Sequence, residues 1–381
     1  MAQMDKKLIT IGVLLILLIV SWGYTFTLSS QISELQKRPT YAALTDQSTL
    51  NIAMNLAVIV SLDPARAYEG TSILMDNQCI EKLLDFVPPD YGTLIPKIAE
   101  SWQVMPDGVT YKFSIRKGVT FSNGDPLDAE AVVYSLQRVI KLKQEAAWML
   151  TQFVSDPAKV TMIDKNTVQV VLDTRVAPTF FLSTLSCTTA CVLNPKVLEK
   201  NAKGGDMGSD WMTMNGGSLG CGSGPYILQT FERESQVVFV ANEKYRLGAP
   251  SIKKIVIKHV AEPEVQRLML EKGDVDIAYD LTPKHIQELK GTQGMRIYET
   301  NSWGTEYIGM NVGVKPLDDN RVRKAIKYAI DYDGIINQIM KGGAVKAQTV
   351  IPFGYLGFNP ALPYYKDVPK AKALLAEAGY P

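Results

Sequence analysis

The sequence predicts an α/β fold on three observations. After an Asp107-Gly108 turn, Tyr111, Phe113 and Ile115 alternate with Thr110, Lys112 and Ser114, the period-two pattern of a half-buried strand. A second turn, Asn123-Gly124-Asp125-Pro126, leads to Asp128, a suitable helix N-cap, and then to apolar residues at helical spacing from 129 to 140. Strand-like runs return at 167–172, 236–240 and 255–260, and a helical run over 261–272 follows the last of them.

Composition narrows the function classes. A chain of 381 residues can bury a large core and divide into two or three domains. Hydrophobic residues make up 46% and charged residues 21%, as in a globular protein with one apolar segment added. Forty basic residues against thirty-nine acidic ones leave a formal charge of +1, which gives no electrostatic case for a nucleic-acid partner. His259 and His285 are the only histidines, so a histidine-rich metal site is not expected, and no cofactor is implied. There is no GxSxG or HExxH motif. The acidic pairs Asp318-Asp319 and Glu262/Glu264 fall in turn-like sequence and read as solvated or capping charge. No catalytic residues are assigned, and the expectation is a binding protein, not an enzyme.

In chain order, residues 8–28 are uncharged and follow Lys6 and Lys7. This is about 30 Å of helix, enough to span the hydrocarbon core. The run is longer than a signal-peptide core and lacks Ala-x-Ala at its end, so 1–28 is expected to be an uncleaved anchor; a cleaved signal peptide is the competing reading. The two lysines keep the N-terminus inside and send the body outside. Residues 29–49 read as a polar stalk, and 50–60 as the first strand of the folded body. Cys79 lies in the helical-looking run 72–84 and reads as a buried thiol. Outside the cell, a bridge among the loop-like Cys187, Cys191 and Cys221 becomes possible. The glycine-rich stretch 204–224 lacks GxxxxGK[ST] and reads as backbone turns.

The wording of residues 96–135, PKIAESWQVMPDGVTYKFSIRKGVTFSNGDPLDAEAVVYS, resembles the family 5 extracellular solute-binding proteins, the peptide, nickel and oligosaccharide receptors of ABC importers. Further landmarks follow in the same order: Gly222-Ser223-Gly224-Pro225-Tyr226, Gly273-Asp274-Val275-Asp276-Ile277, and Asn311 through Arg321-Val322-Arg323 to Ala329-Ile330-Asp331. The run 369–379 is similar to the family's "A-K-x-L-L-A-E-A-G" helix. Members continue well past that helix, so the resemblance implies an incomplete second lobe here.

The resemblance implies a two-lobed periplasmic-binding-protein-like fold, type II with an extra subdomain. On that basis 50–280 form a first lobe containing an inserted subdomain of about 76–215, and 281–381 form a second. Tyr68, Glu69, Gly70 and Thr71, after the Leu62-Asp63-Pro64 element, map onto ligand-facing positions; an ordinary loop capped by Asp63 is the plainer alternative. Trp148 maps onto a cleft aromatic, or is a core residue. Tyr279 and Asp280 map onto further contacts, with Asp280 either holding a ligand amino group or capping the helix near Thr282-Pro283. Trp303, Gly304 and Thr305 complete the candidate set, while Arg321 reads as a solvated or salt-bridged charge. The implied partners are a peptide or other small solute, an ABC permease, and the membrane through the N-terminal helix. The implied location is the extracellular or periplasmic face. An oligosaccharide ligand, or a non-transporting interaction protein at the cell surface, are the alternatives.

Overall fold

Period-two patterning and turn chemistry give strands β1 (Thr49–Met54), β2 (Leu84–Val87), β3 (Asp90–Pro96), β4 (Ala99–Val104), β5 (Thr110–Ile115), β6 (Val160–Asp164), β7 (Thr167–Val171), β8 (Tyr226–Glu232), β9 (Gln236–Ala241), β10 (Lys254–His259) and β11 (Ile277–Ala278). The computed structural model describes residues 48–87, 90–299, 304–352, 355 and 357–380. Trp303, the apolar segment 1–28 and most of the expected stalk lie outside the described residues. Two compact units emerge, Asp46–Leu281 and one that includes Thr282–Pro381.

The first unit contains two main sheets. One has the order β11-β1-β10-β9-β8, with β1 parallel to both β10 and β11 and the remaining pairs antiparallel. The other, β4-β5-β7-β6, is antiparallel. On β5, Tyr111, Phe113 and Ile115 are fully buried, as the alternation predicts. They share one core with Val132, Leu136, Val139 and Ile140 of the helix Ala129–Leu142, which the Asp128 carboxylate caps by accepting from Glu130 N at 3.0 Å. A second core gathers Met54, Leu56, Met75, Cys79, Phe239 and Ile257 beneath the five-stranded sheet.

The structure corrects three expectations. The first strand stops at Met54, not at 60, because the Asn55 side chain accepts from Ala57 N and caps a 3-10 turn over Leu56–Val58. The helix expected over 72–84 runs over Gly70–Cys79, since Ile80 turns extended and 84–87 pair as a strand. All four cysteines are free. The Cys187 and Cys221 sulfurs lie 3.9 and 3.7 Å from the Ser183 and Asn215 carbonyls, and Cys191 is buried.

In the second unit the helices Asn320–Ala329 and Val368–Glu377 pack together, burying Val322, Ala325 and Ala371. Arg321 donates to Glu377 O at 2.7 Å and pairs with Asp319, the N-cap of its own helix, so it is a structural charge. Those bonds hold Asp319 down to about 2.

Two buried polar groups in the first unit set its energetics. Arg138, in the middle of an apolar helix face, forms a bidentate pair with Asp63 at 2.8 and 2.7 Å, and both side chains are 0% exposed. Ser209 donates to the same carboxylate at 2.7 Å, and Arg138 Nε donates to Met207 O at 2.9 Å, so the pair is closed by further hydrogen bonds. Arg138→Ala is expected to lower stability in urea by about 3–5 kcal/mol, the cost of stranding a buried carboxylate. Asp63→Ala combined with it should cost less than the two single losses added.

Asp76 is also buried, yet neither carboxyl oxygen has a hydrogen-bond partner. Burial pushes its pKa well up, and the Asp63 and Glu69 carboxylates reinforce the shift. The folded carboxyl therefore keeps a proton that the unfolded chain releases near its ordinary value of about 3.9. The stability linked to this group is fully present below that pH and is lost as pH rises toward the folded value. Asp76→Asn keeps the shape and removes the titration. It is expected to be more stable than the native chain at about pH 7 and to show no such gain at about pH 3. Unfolding curves at both values check this, and equal differences at both would count against it.

Candidate functional site

Parallel pairing brings the carboxyl ends of β1, β10 and β11 to one edge, with Met54 beside His259 and Ala53 beside Ala278. Loops leaving such an edge are where open α/β sheets bind ligands. Each loop here is fixed by a side chain that accepts a backbone N–H. Asn55 N donates to Asp280 Oδ2 at 2.7 Å, Leu56 N to His259 Nδ1 at 3.0 Å, and Val60 N to Glu69 Oε1 at 2.8 Å. Gln266, fully buried on the helix Pro263–Lys272, donates to Val260 O at 2.7 Å and Asp280 Oδ2 at 3.2 Å, and accepts from Asp280 N at 2.9 Å. One stage earlier, Asp276 accepts from Asn51 N at 2.7 Å and docks β11 onto β1.

Glu69 and Asp280 are thus committed to the protein's own backbone. Glu69 also accepts from the Ser72 hydroxyl and, at 3.3 Å, from Tyr68 N. Asp280 does not cap the helix Pro283–Leu289; the Thr282 hydroxyl takes that role, accepting from His285 N at 3.3 Å. Gly70 begins the Gly70–Cys79 helix with open space where a side chain would stand, and Thr71 is half-buried behind it.

The aromatic candidates are the free surface. Tyr68 is 55% exposed, Trp148 53% and Tyr279 56%. Tyr68 and Trp148 meet edge to face, with ring centroids 6.3 Å apart at 64°. Trp148 is therefore not a core residue. It reaches Tyr68 because the loop after the Arg138 helix folds back, with Ala146 N donating to Ala65 O at 3.3 Å and Arg66 pairing with Glu145 at 3.6 Å. Gly304 is exposed and Thr305 half-buried in the second unit. Local sequence reading missed Asn55 and His259, whose roles depend on strand pairing across some two hundred positions, and also Val60 and Gln266, whose partners Glu69 and Asp280 lie nine and fourteen positions away. Among the described residues no group of three or more His, Cys, Asp or Glu side chains is placed to hold a metal ion. No helix among them is long and apolar enough to cross a membrane.

An α/β unit whose parallel strands end beside exposed aromatics presents the kind of edge at which small molecules bind. Residues 93–381 match the family model of bacterial extracellular solute-binding proteins, family 5 middle, and the chain belongs to that family of receptors. It is 30% identical over 333 residues to the dipeptide-binding protein of Escherichia coli, covering 82% of this chain and 59% of that one. It is 28% identical over 348 residues to the nickel-binding periplasmic protein of the same organism, covering 89% and 62%. The solved structure of a periplasmic binding protein DppA from Helicobacter pylori, in complex with the peptide STSA, superposes with a TM-score of 0.72 at 24% identity, covering 87% of this chain and 66% of that one. That likeness establishes the α/β periplasmic-binding-protein fold. The chain spans about three fifths of the length of these curated relatives.

If the Asp280 carboxylate is structural, Asp280→Ala strands Asn55 N and the Gln266 amide and lowers stability by about 1–3 kcal/mol. Thermal unfolding checks it; an unchanged midpoint would return Asp280 to the set of free ligand contacts.

Proposed function

We propose that the protein is the solute-capturing receptor of an ABC importer and takes a peptide or a similar small polar solute against the carboxyl edge of β1, β10 and β11. The observation that carries this is the exposed Tyr68–Trp148 pair beside loops whose backbone is already fixed. Tyr279 adds a further exposed aromatic, Gly70 leaves room for close approach with Thr71 half-buried next to it, and Glu69 and Asp280 hold the loops. Trp303, Gly304 and Thr305 are proposed as the contacts from the second unit. The first lobe would be 50–280 with its inserted subdomain at about 76–215, and the second would begin at 281. The relative named for dipeptide binding supports a peptide, and family membership supports a permease partner.

In this reading closure of the lobes is driven only by the solute's tighter binding to the closed form, and no bond is made or broken. Residues 1–28 would tether the receptor beside its permease and raise its effective concentration there. Exposed aromatic faces also suit a sugar ring, so an oligosaccharide is the second reading.

Calorimetry with a peptide set and an oligosaccharide set separates the two. Peptides are expected to release heat, and Tyr68→Ala or Trp148→Ala should each weaken binding about tenfold, or ~1.4 kcal/mol. Heat from sugars alone would overturn the peptide reading, and heat from neither set would overturn both.

A further inference from the structure

Beside Trp148 the surface dips into a hollow of about 350 Å³ lined by Lys143, Gln144, Ala147, Trp148, Thr151 and Ser155. That volume suits a group of amino-acid size. Its chemistry is one-sided: an ammonium, an indole face, an amide and two hydroxyls, with no carboxylate. Lys143 is exposed and has no ion-pair partner among the described residues. The nearby carboxylates are engaged elsewhere, Glu145 with Arg66 at 3.6 Å and Asp173 with Lys159 at 2.7 Å. The Gln144 amide lies 2.9 Å from the Ser209 hydroxyl, whose one proton is already given to Asp63, so that amide is held by Ser209 and Lys143 is the hollow's charged donor.

The backbone adds a second observation. Lys143 ends the Ala129–Leu142 helix in the left-handed region, at φ 51° and ψ 37°. Glycine or asparagine usually fills that position, because a side chain is strained there. A basic residue near a helix C-terminus is favourable, but that benefit is available anywhere in the last turn and does not need the strained cap. By contrast, the hollow of about 430 Å³ at Met214 and 232–235 sets Glu232 and Glu234 around Arg233, so its cation is offset by acidic neighbours.

We propose that the Lys143 hollow is a subsite for a carboxylate carried on an apolar or aromatic group, with the Lys143 ammonium as charge partner and the Trp148 ring as stacking surface. The proposal rests on the reading of Trp148 as a ligand contact. It assigns Lys143 as a specificity residue, favouring solutes with a free acid over their amides.

The test uses the full chain and two matched probes, 3-phenylpropanoate and 3-phenylpropanamide, titrated against tryptophan fluorescence. The native protein is expected to bind the acid about fivefold more tightly than the amide, the size of a partly exposed charge-assisted bond. In Lys143→Gly, which suits the left-handed backbone and therefore folds, the ratio should fall to about one. Lys143→Arg should keep it. An unchanged ratio in Lys143→Gly, or no saturation by either probe, would overturn the subsite. Peptides that fail to bind while the acid keeps its Lys143-dependent preference would count against the receptor reading alone.

Discussion

The candidate edge depends on one buried ion pair. Asp63 lies in the loop after β1, and Arg138 belongs to the helix that packs on the four-stranded sheet, 75 positions away. Desolvating both charges is costly, and only their bidentate geometry, with Ser209 and Met207 satisfying the remaining groups, makes the arrangement tenable. With the pair in place, Asp63 also accepts from Ala65 N at 3.0 Å and fixes the turn that carries Ala65. The Ala146–Ala65 hydrogen bond then joins the segments that bear Trp148 and Tyr68. The exposed aromatic pair is therefore a consequence of buried electrostatics.

The carboxylates around the edge follow one rule. Asp276, Asp280 and Glu69 each accept a backbone N–H from β1 or the loop after it. A buried or half-buried N–H without a partner is expensive, and these acids remove that cost where regular pairing ends. This leaves a fixed rim on which aromatic side chains are the uncommitted surface. On the proposed function, recognition by this unit would favour planar or apolar groups, with charge read at the periphery.

Locally periodic features were legible in the sequence. The alternation around Tyr111, the Asp128 cap and the Arg321–Asp319 pairing all depend on neighbours within a few residues. The Asp280 alternatives were framed locally, as cap or ligand contact, whereas its partner Asn55 stands 225 positions upstream. A threonine directly before Pro283 is a stronger N-cap signal than an aspartate two residues further back, and Thr282 was readable on that ground. Trp148 was ambiguous because exposure depends on a fold-back between distant loops that no periodicity encodes. The ordered landmarks carried family membership, yet several of them, Asp276 included, hold strands together and touch no candidate ligand surface.

Asp76 lies on the helix that Glu69 opens, and the two carboxylates that disfavour its ionisation are Asp63 and Glu69. A charge at Asp76 would oppose both groups on which the edge is built. Holding the proton removes that conflict: Asp63 keeps its full attraction for Arg138, and Glu69 stays an acceptor for Val60 N. The neutral acid is tolerated because burial and its neighbours act in the same direction. An amide in its place should therefore leave the aromatic rim intact, whereas a second permanent charge at this position would act on the site from behind.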